Sequence, residues 1–552
     1  MSERKSHRMR RFLVSRVLAV LALLALAGCG GGEVRDDSAS ADSSISGSPA
    51  GMPATKDATF VYLDNLDIVT DWDPASSYSN EISAMQNIYD SLTVYNPLIK
   101  RAGPRLAESW KASQDGKTWT FTLRSGAVFH TGRPVDADAV KASIERTKRM
   151  AAGAAYIWDP VQKITVLDPL TVQFTLKYPA PLDLIASADY AAYIYDTEAA
   201  GSGDLKKWFQ QGRDAGSGPY TVASWHKGRE KELVLRAFDE YWGGWDGPHY
   251  KNVEYRVVPN QNTAWQLLLR GEASFVERLN PSLFRRAKAT AGVRTLQVPS
   301  FQNMLVLFNS ASGPLRDVRL RKAVQKAIDY DGVIAALKGA GDPAEGLVPE
   351  GLLGHVPGMR PRQDLERAEE LLREAGYGPG GRELRLTLTY AEGDNDEQIL
   401  VRLLDNALSE LNVKVDARAM QWNAQWNQAK SADPAKRQDI LVMYWWPDYA
   451  DAYSWFLNVF RSADPVSFNL TYLKNKDIDD RIDKLQSLLA TDREAAQKEY
   501  AGLQTDLIDK RAVVAAPWVV NYQRAYLGNV SGYADNPAYP NVVFVHQLIP
   551  TA

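Results

Sequence analysis

Residues 118–124 alternate between apolar and polar side chains, with Trp119, Phe121 and Leu123 on one face and threonines between them. A period of two predicts a strand, and Asp115-Gly116 just before it is a tight-turn pair, so residues 108–124 are expected to form a hairpin. A strand is also predicted over 59–63, with a turn at Asp73-Pro74. The spacing changes over 81–92, where Ile82, Met85, Ile88 and Tyr89 recur at three and four, the signature of a helix. Asp317 is placed to cap a helix whose stripe is Leu320, Ala323, Val324, Ala327 and Ile328. A further helix over 365–375 should stop at Gly376. Leu384, Leu386 and Leu388 then alternate, residues 399–411 have helical spacing, and 413–417 alternate again. Strand, helix and strand at this spacing predict a right-handed crossover on a mixed sheet, and an α/β protein of several lobes.

The first 28 residues follow a different pattern. Arg4, Lys5, Arg8, Arg10, Arg11 and Arg16 precede 11 apolar residues, 17–27, an export-signal length that is too short to span a ~30 Å hydrocarbon core. Leu26-Ala27-Gly28-Cys29 resembles a bacterial lipobox, which implies cleavage before Cys29, lipidation of its thiol and an extracytoplasmic location on the bacterial cell membrane. Cys29 is the only cysteine, so disulfides and thiolate metal sites within the chain are excluded. Residues 29–56 are rich in Gly, Ser, Ala and Asp and are expected to form a tether reaching about 28 Å from the lipid.

The signal carries six basic residues and one acidic one, a net +5; removing it from −3 leaves −8 for the mature chain. Such a charge argues against nucleic acid as a partner. The six histidines show no metal-ligand spacing, and neither a GxSxG elbow nor a P-loop is present. No cofactor is expected, and an enzyme is disfavoured.

Seven of the thirteen residues 444–456 are aromatic, against 10% of the chain. Aromatic faces supply contact area with little rotamer loss, and a carboxylate among them adds a directional charge. Pro447 breaks regular structure after a strand expected over 439–444, which puts Asp448 on a loop at a strand end, where α/β proteins hold ligands. A plainer use is open to the same residues: Trp445 and Trp446 as core anchors, and Asp448 as a helix cap.

Several blocks in order resemble one family. They include Tyr89-Asp90-Ser91-Leu92, Pro104-Arg105-Leu106-Ala107-Glu108-Ser109-Trp110, residues 113–130, Gly216-Ser217-Gly218-Pro219-Tyr220, Tyr241-Trp242-Gly243-Gly244 and residues 371–377. Together they resemble the oligopeptide/dipeptide/nickel class (family 5) of solute-binding proteins of ABC importers. The resemblance implies a two-lobed periplasmic-binding-protein-like fold with mixed sheets, hinge strands and an extra α+β domain. Lobe I would comprise 57–92, 213–300 and 510–552, the extra domain 93–212 and lobe II 301–509. It also implies a monomer that captures a small solute, most simply a peptide, and hands it to permease subunits. An oligosaccharide ligand, or a solute-sensing surface lipoprotein, is the alternative.

In the family's peptide binders the loop reads Trp-x-x-Asp-Tyr-x-Asp/Glu-Pro, and its first acid meets the peptide's ammonium group. Trp445 and Asp448 match by spacing, and Ala452 stands where proline is usual. The expected ligand contacts are therefore Asp448, Trp445, Trp446 and Tyr449. Tyr78, after the first strand, and Asn303, near an expected crossing between lobes, complete the set.

Overall fold

A computed structural model describes residues 58–64, 69, 71–227 and 231–551; the signal, Cys29 and the tether expected over 29–56 lie outside them. The predicted hairpin is present as Ala107–Ala112 and Thr118–Leu123. It is completed by Val161–Asp168 and Thr171–Leu176 into a four-stranded antiparallel sheet. Helix Ala137–Met150 accompanies that sheet, and Asp136 caps it by accepting the Ala139 N–H.

The predicted crossover is also present. Leu384–Ala391 and Val413–Met420 pair in parallel, with helix Asn395–Glu410 between them. That helix starts four residues before its apolar stripe because Asp394 accepts the N–H groups of Asp396 and Glu397. Asp317 caps helix Val318–Ala327 through Arg319 N–H, and Gly376 takes φ +82° just beyond helix Leu365–Glu374.

The helix expected over 81–92 is shorter, Ile82–Ile88, and Tyr89 is extended. The carbonyl of Ile88 is taken by the N–H of Gly218 at 2.9 Å. A Cβ on Gly216 or Gly218 would fall within 3 Å of the Ile88 backbone, so only glycine allows this approach. The stop is tertiary, which is why helical periodicity overran it.

A twelve-stranded mixed sheet carries the rest of the fold. Its two halves meet at Val293–Phe308 and Trp518–Leu527. The first of these strands changes neighbour along its length: residues 293–303 pair with Trp518–Leu527, and 303–308 pair with Ile440–Trp445. On one side lie Phe275–Val276, Thr59–Asp64 and Asn252–Val257; on the other lie Ile440–Trp445, Leu384–Ala391 and Val413–Met420. Each half buries its own apolar cluster, one around Tyr62, Val253 and Leu268, the other around Val306, Leu388 and Leu404. No helix among the described residues is long and apolar enough to cross a membrane.

Candidate functional site

Strand Ile440–Trp445 is held antiparallel by Val293–Phe308 and parallel by Leu384–Ala391. Its β-branched and apolar residues suit a strand enclosed on both faces. Trp446-Pro447 ends it, and Asp448 follows at its C-terminal end, almost fully buried.

The Asp448 carboxylate gathers donors from distant parts of the chain. Tyr78, after the first strand, donates its hydroxyl at 3.1 Å. Tyr156, from the one-turn helix Ala155–Trp158 beside the four-stranded sheet, donates to the other oxygen. Asn458 donates its amide to that same oxygen at 3.2 Å and to the Tyr156 hydroxyl at 2.8 Å. Asn458 sits in a π-helical turn, Phe456–Phe460, an irregularity common at functional sites.

Asp448 does not cap the next helix. Before Tyr453–Trp455 it is Asp451 that accepts the Tyr453 N–H at 2.8 Å, and it also accepts the Tyr500 hydroxyl at 2.9 Å. Ala452 has φ −73°, a value that proline also enforces, so its replacement of proline leaves the loop's course compatible with the family pattern.

The backbone of a second buried acid, Asp189, meets that of the first. The N–H of Asp189 donates to the Asp448 carbonyl at 3.0 Å, and neither side-chain oxygen of Asp189 has a hydrogen-bond partner among the described residues. Burial pushes Asp448 up to about 6, against the pull of its Tyr156, Tyr78 and Asn458 hydrogen bonds. Burial and the charge of Asp448 push Asp189 well above the usual carboxylate range. The Tyr78 and Tyr156 phenols are raised by burial and by Asp448, so both remain protonated donors.

The other expected residues divide. Trp446 lines a small cleft together with Ser79, Asn80, Tyr190 and Gln302. Tyr190 joins that cleft to the Asp448 cluster, its ring 4.9 Å from Tyr78. Trp445 is buried beside Asn303 in register and edge-on to Phe468 at 5.8 Å. The Tyr449 hydroxyl accepts from the Gln486 amide at 3.4 Å, within an apolar cluster that also takes in Phe121 and Phe174 of the four-stranded sheet. Asn303 is fully buried, donating to the Leu347 carbonyl and accepting from the Trp455 indole. The structure thus brings Asp448 and Tyr78 together and sets Trp446 at the adjoining cleft. Asn303 and Tyr449 serve neighbouring packing. Sequence reasoning missed Tyr156, Asn458, Asp189 and Tyr190. Only Asn458, ten residues after Asp448, lay within reach of a local pattern.

Comparison with known proteins gives a consistent answer. The model of bacterial extracellular solute-binding proteins, family 5 (middle), matches residues 101–466. The probable D,D-dipeptide-binding periplasmic protein DdpA of Escherichia coli K12 is 29% identical over 449 residues, covering 80% of this chain and 84% of that protein. Among solved structures, the Helicobacter pylori binding protein DppA in complex with the peptide STSA superposes with a TM-score of 0.77 at 22% identity. That match covers 90% of this chain and 98% of that one. NikA from Brucella suis in complex with Fe(III)-EDTA gives the same TM-score and identity, covering 90% and 100%. The fold is the two-lobed α/β fold of these periplasmic binding proteins. With two thirds of its length under the family model, the chain belongs to the family 5 bacterial extracellular solute-binding proteins.

Proposed function

We propose that this chain is the lipid-anchored receptor of an ABC importer, and that its solute is a peptide bound through its terminal ammonium group. One observation carries the reading: the buried Asp448 carboxylate is surrounded by neutral donors only, contributed by Tyr78, Tyr156 and Asn458. A buried carboxylate left without a cation is costly, and a ligand ammonium would offset that cost. The relatives that bind a dipeptide or a peptide, by name, agree with it.

In this reading the lobes divide near 57–92, 213–300 and 510–552 for lobe I and 301–509 for lobe II, with 93–212 as the extra domain. Because Tyr78, Tyr156 and Asp448 come from all three, a ligand at Asp448 binds the closed arrangement better than the open one, and differential affinity drives closure. The closed monomer then docks on the permease. The chain itself does no chemistry; ATP is hydrolysed by partner subunits. The lipid on Cys29 and the tether keep the receptor at the outer face of the membrane.

Thermal unfolding of the full chain with free-amine peptides, the same peptides N-acetylated, and oligosaccharides tests this. A ligand at 100 times its Kd adds about 2.7 kcal/mol, visible as a raised midpoint. Stabilisation by free-amine peptides alone is expected; stabilisation by acetylated peptides or sugars instead overturns the ammonium anchor.

A further inference from the structure

We infer that Asp189 is a second ligand-binding carboxylate, and that with Asp448 it grips a primary ammonium group through N–H donors. This rests on Asp448 being the ammonium anchor. The backbone of Asp189 is fixed three times: its N–H donates to the Asp448 carbonyl at 3.0 Å, and its carbonyl accepts from Gln86 at 3.2 Å and from the Tyr193 hydroxyl at 2.7 Å. Its side chain is fully buried, and both of its oxygens lack a hydrogen-bond partner among the described residues. A backbone so tightly held, ending in a carboxylate with nothing to accept, is costly to the fold and is explained by a donor that arrives with the ligand.

The surroundings define that donor. The groups facing the two acids are the phenols of Tyr78, Tyr156, Tyr190, Tyr193, Tyr449 and Tyr539, with Glu81 acting on Tyr190 and Tyr193. Arg105, whose field reaches Tyr193, is committed to Asp90. Among the described residues, no cation acts on either acid strongly enough to offset its burial. Asp448 already accepts from three side-chain donors, whereas Asp189 has only the weak pull of its own N–H and that of Tyr190, so a group that serves both acids brings more than one N–H. A primary ammonium carries three. A quaternary ammonium has the charge but no donor and leaves Asp189 unsatisfied.

Binding also moves protons. Burial, and for Asp189 also the charge of Asp448, favours the protonated acids without ligand; a bound ammonium favours their ionised forms, and the protons so displaced leave to buffer. Affinity for a primary amine therefore rises with pH between about 5.5 and 7.5.

The test titrates the full chain with a mixed tripeptide library, the same library N-acetylated, and the same library N-trimethylated, following the thermal midpoint at pH 5.5 and 7.5. Wild type is expected to respond to the free-amine library more strongly at pH 7.5, and to need at least tenfold more of the trimethylated one. Asp189→Asn is expected to keep or raise its unliganded midpoint, to need at least tenfold more free-amine library, and to lose part of the pH response. If Asp448→Asn loses binding while Asp189→Asn matches wild type at both pH values, the role of Asp189 is overturned and that of Asp448 stands. Equal response of wild type to the trimethylated and free-amine libraries also overturns it, without reliance on a variant. A wild-type protein that ignores the free-amine library overturns both readings.

Discussion

Asp90 and Asp448 are both buried carboxylates, and the chain treats them in opposite ways. Asp90 is paired with the buried Arg105 guanidinium at 2.5 Å and also accepts from Trp242 at 2.8 Å and Ser217 at 3.1 Å. Asp448 accepts only from neutral groups, Tyr78, Tyr156 and Asn458, and has the unpartnered Asp189 beside it. One carboxylate is neutralised within the fold. The other is held in place but not neutralised, and charge left open in this way is what a receptor can offer to a cationic ligand. Burial alone therefore does not mark a site; the identity of the partner does.

The largest expected effects come from removing each charge. Asp448→Asn should weaken binding of a free-amine peptide by ~3–5 kcal/mol in calorimetry while leaving the urea midpoint without ligand as high as in wild type. Asp90→Asn should do the reverse, lowering stability by ~3–5 kcal/mol because Arg105 is left buried and unpaired.

The pH dependence separates the two regions next. Asp448 is raised to about 6 in the folded protein. Its carboxyl therefore stays protonated where the unfolded chain has already ionised. The contribution to stability is full below about pH 4 and is lost as pH rises through 6, by roughly 3 kcal/mol for a two-unit shift. Urea midpoints without ligand, measured from pH 4 to 8, should show this fall in wild type and a smaller one in Asp448→Asn.

A smaller effect is expected of Tyr156→Phe, which removes one donor to the Asp448 carboxylate and should weaken peptide binding by about 1.5 kcal/mol in calorimetry. The smallest is Ala452→Pro. With φ already −73°, it should leave affinity within threefold, with any change in the thermal midpoint set by how the buried site takes the ring.

Local signals and long-range ones fared differently. The alternation at Trp119, Phe121 and Leu123, the cap at Asp317 and the strand–helix–strand run from Leu384 express backbone geometry within a few residues, so a period read along the chain finds them. The end of helix Ile82–Ile88 is imposed by Gly218, 130 residues later, and no local period encodes it. The site divides in the same way. Asp448 stood out because an acid beside Pro447 interrupts an aromatic run, and Trp446 lay within that run. Tyr156 and Asp189 carry no neighbouring pattern; each is ordinary in its own segment, and topology brings it to Asp448. Tyr449 and Asn303 show the converse: aromatic density and nearness to a crossing strand describe a well-packed lobe wall as readily as a ligand contact.

The most direct measurement is calorimetric titration of the wild-type chain and Asp448→Asn with one free-amine peptide and its N-acetylated twin. The account predicts binding only for wild type with the free amine, and heat lost in the other three combinations. Equal affinity of wild type and Asp448→Asn for the free-amine peptide would contradict it.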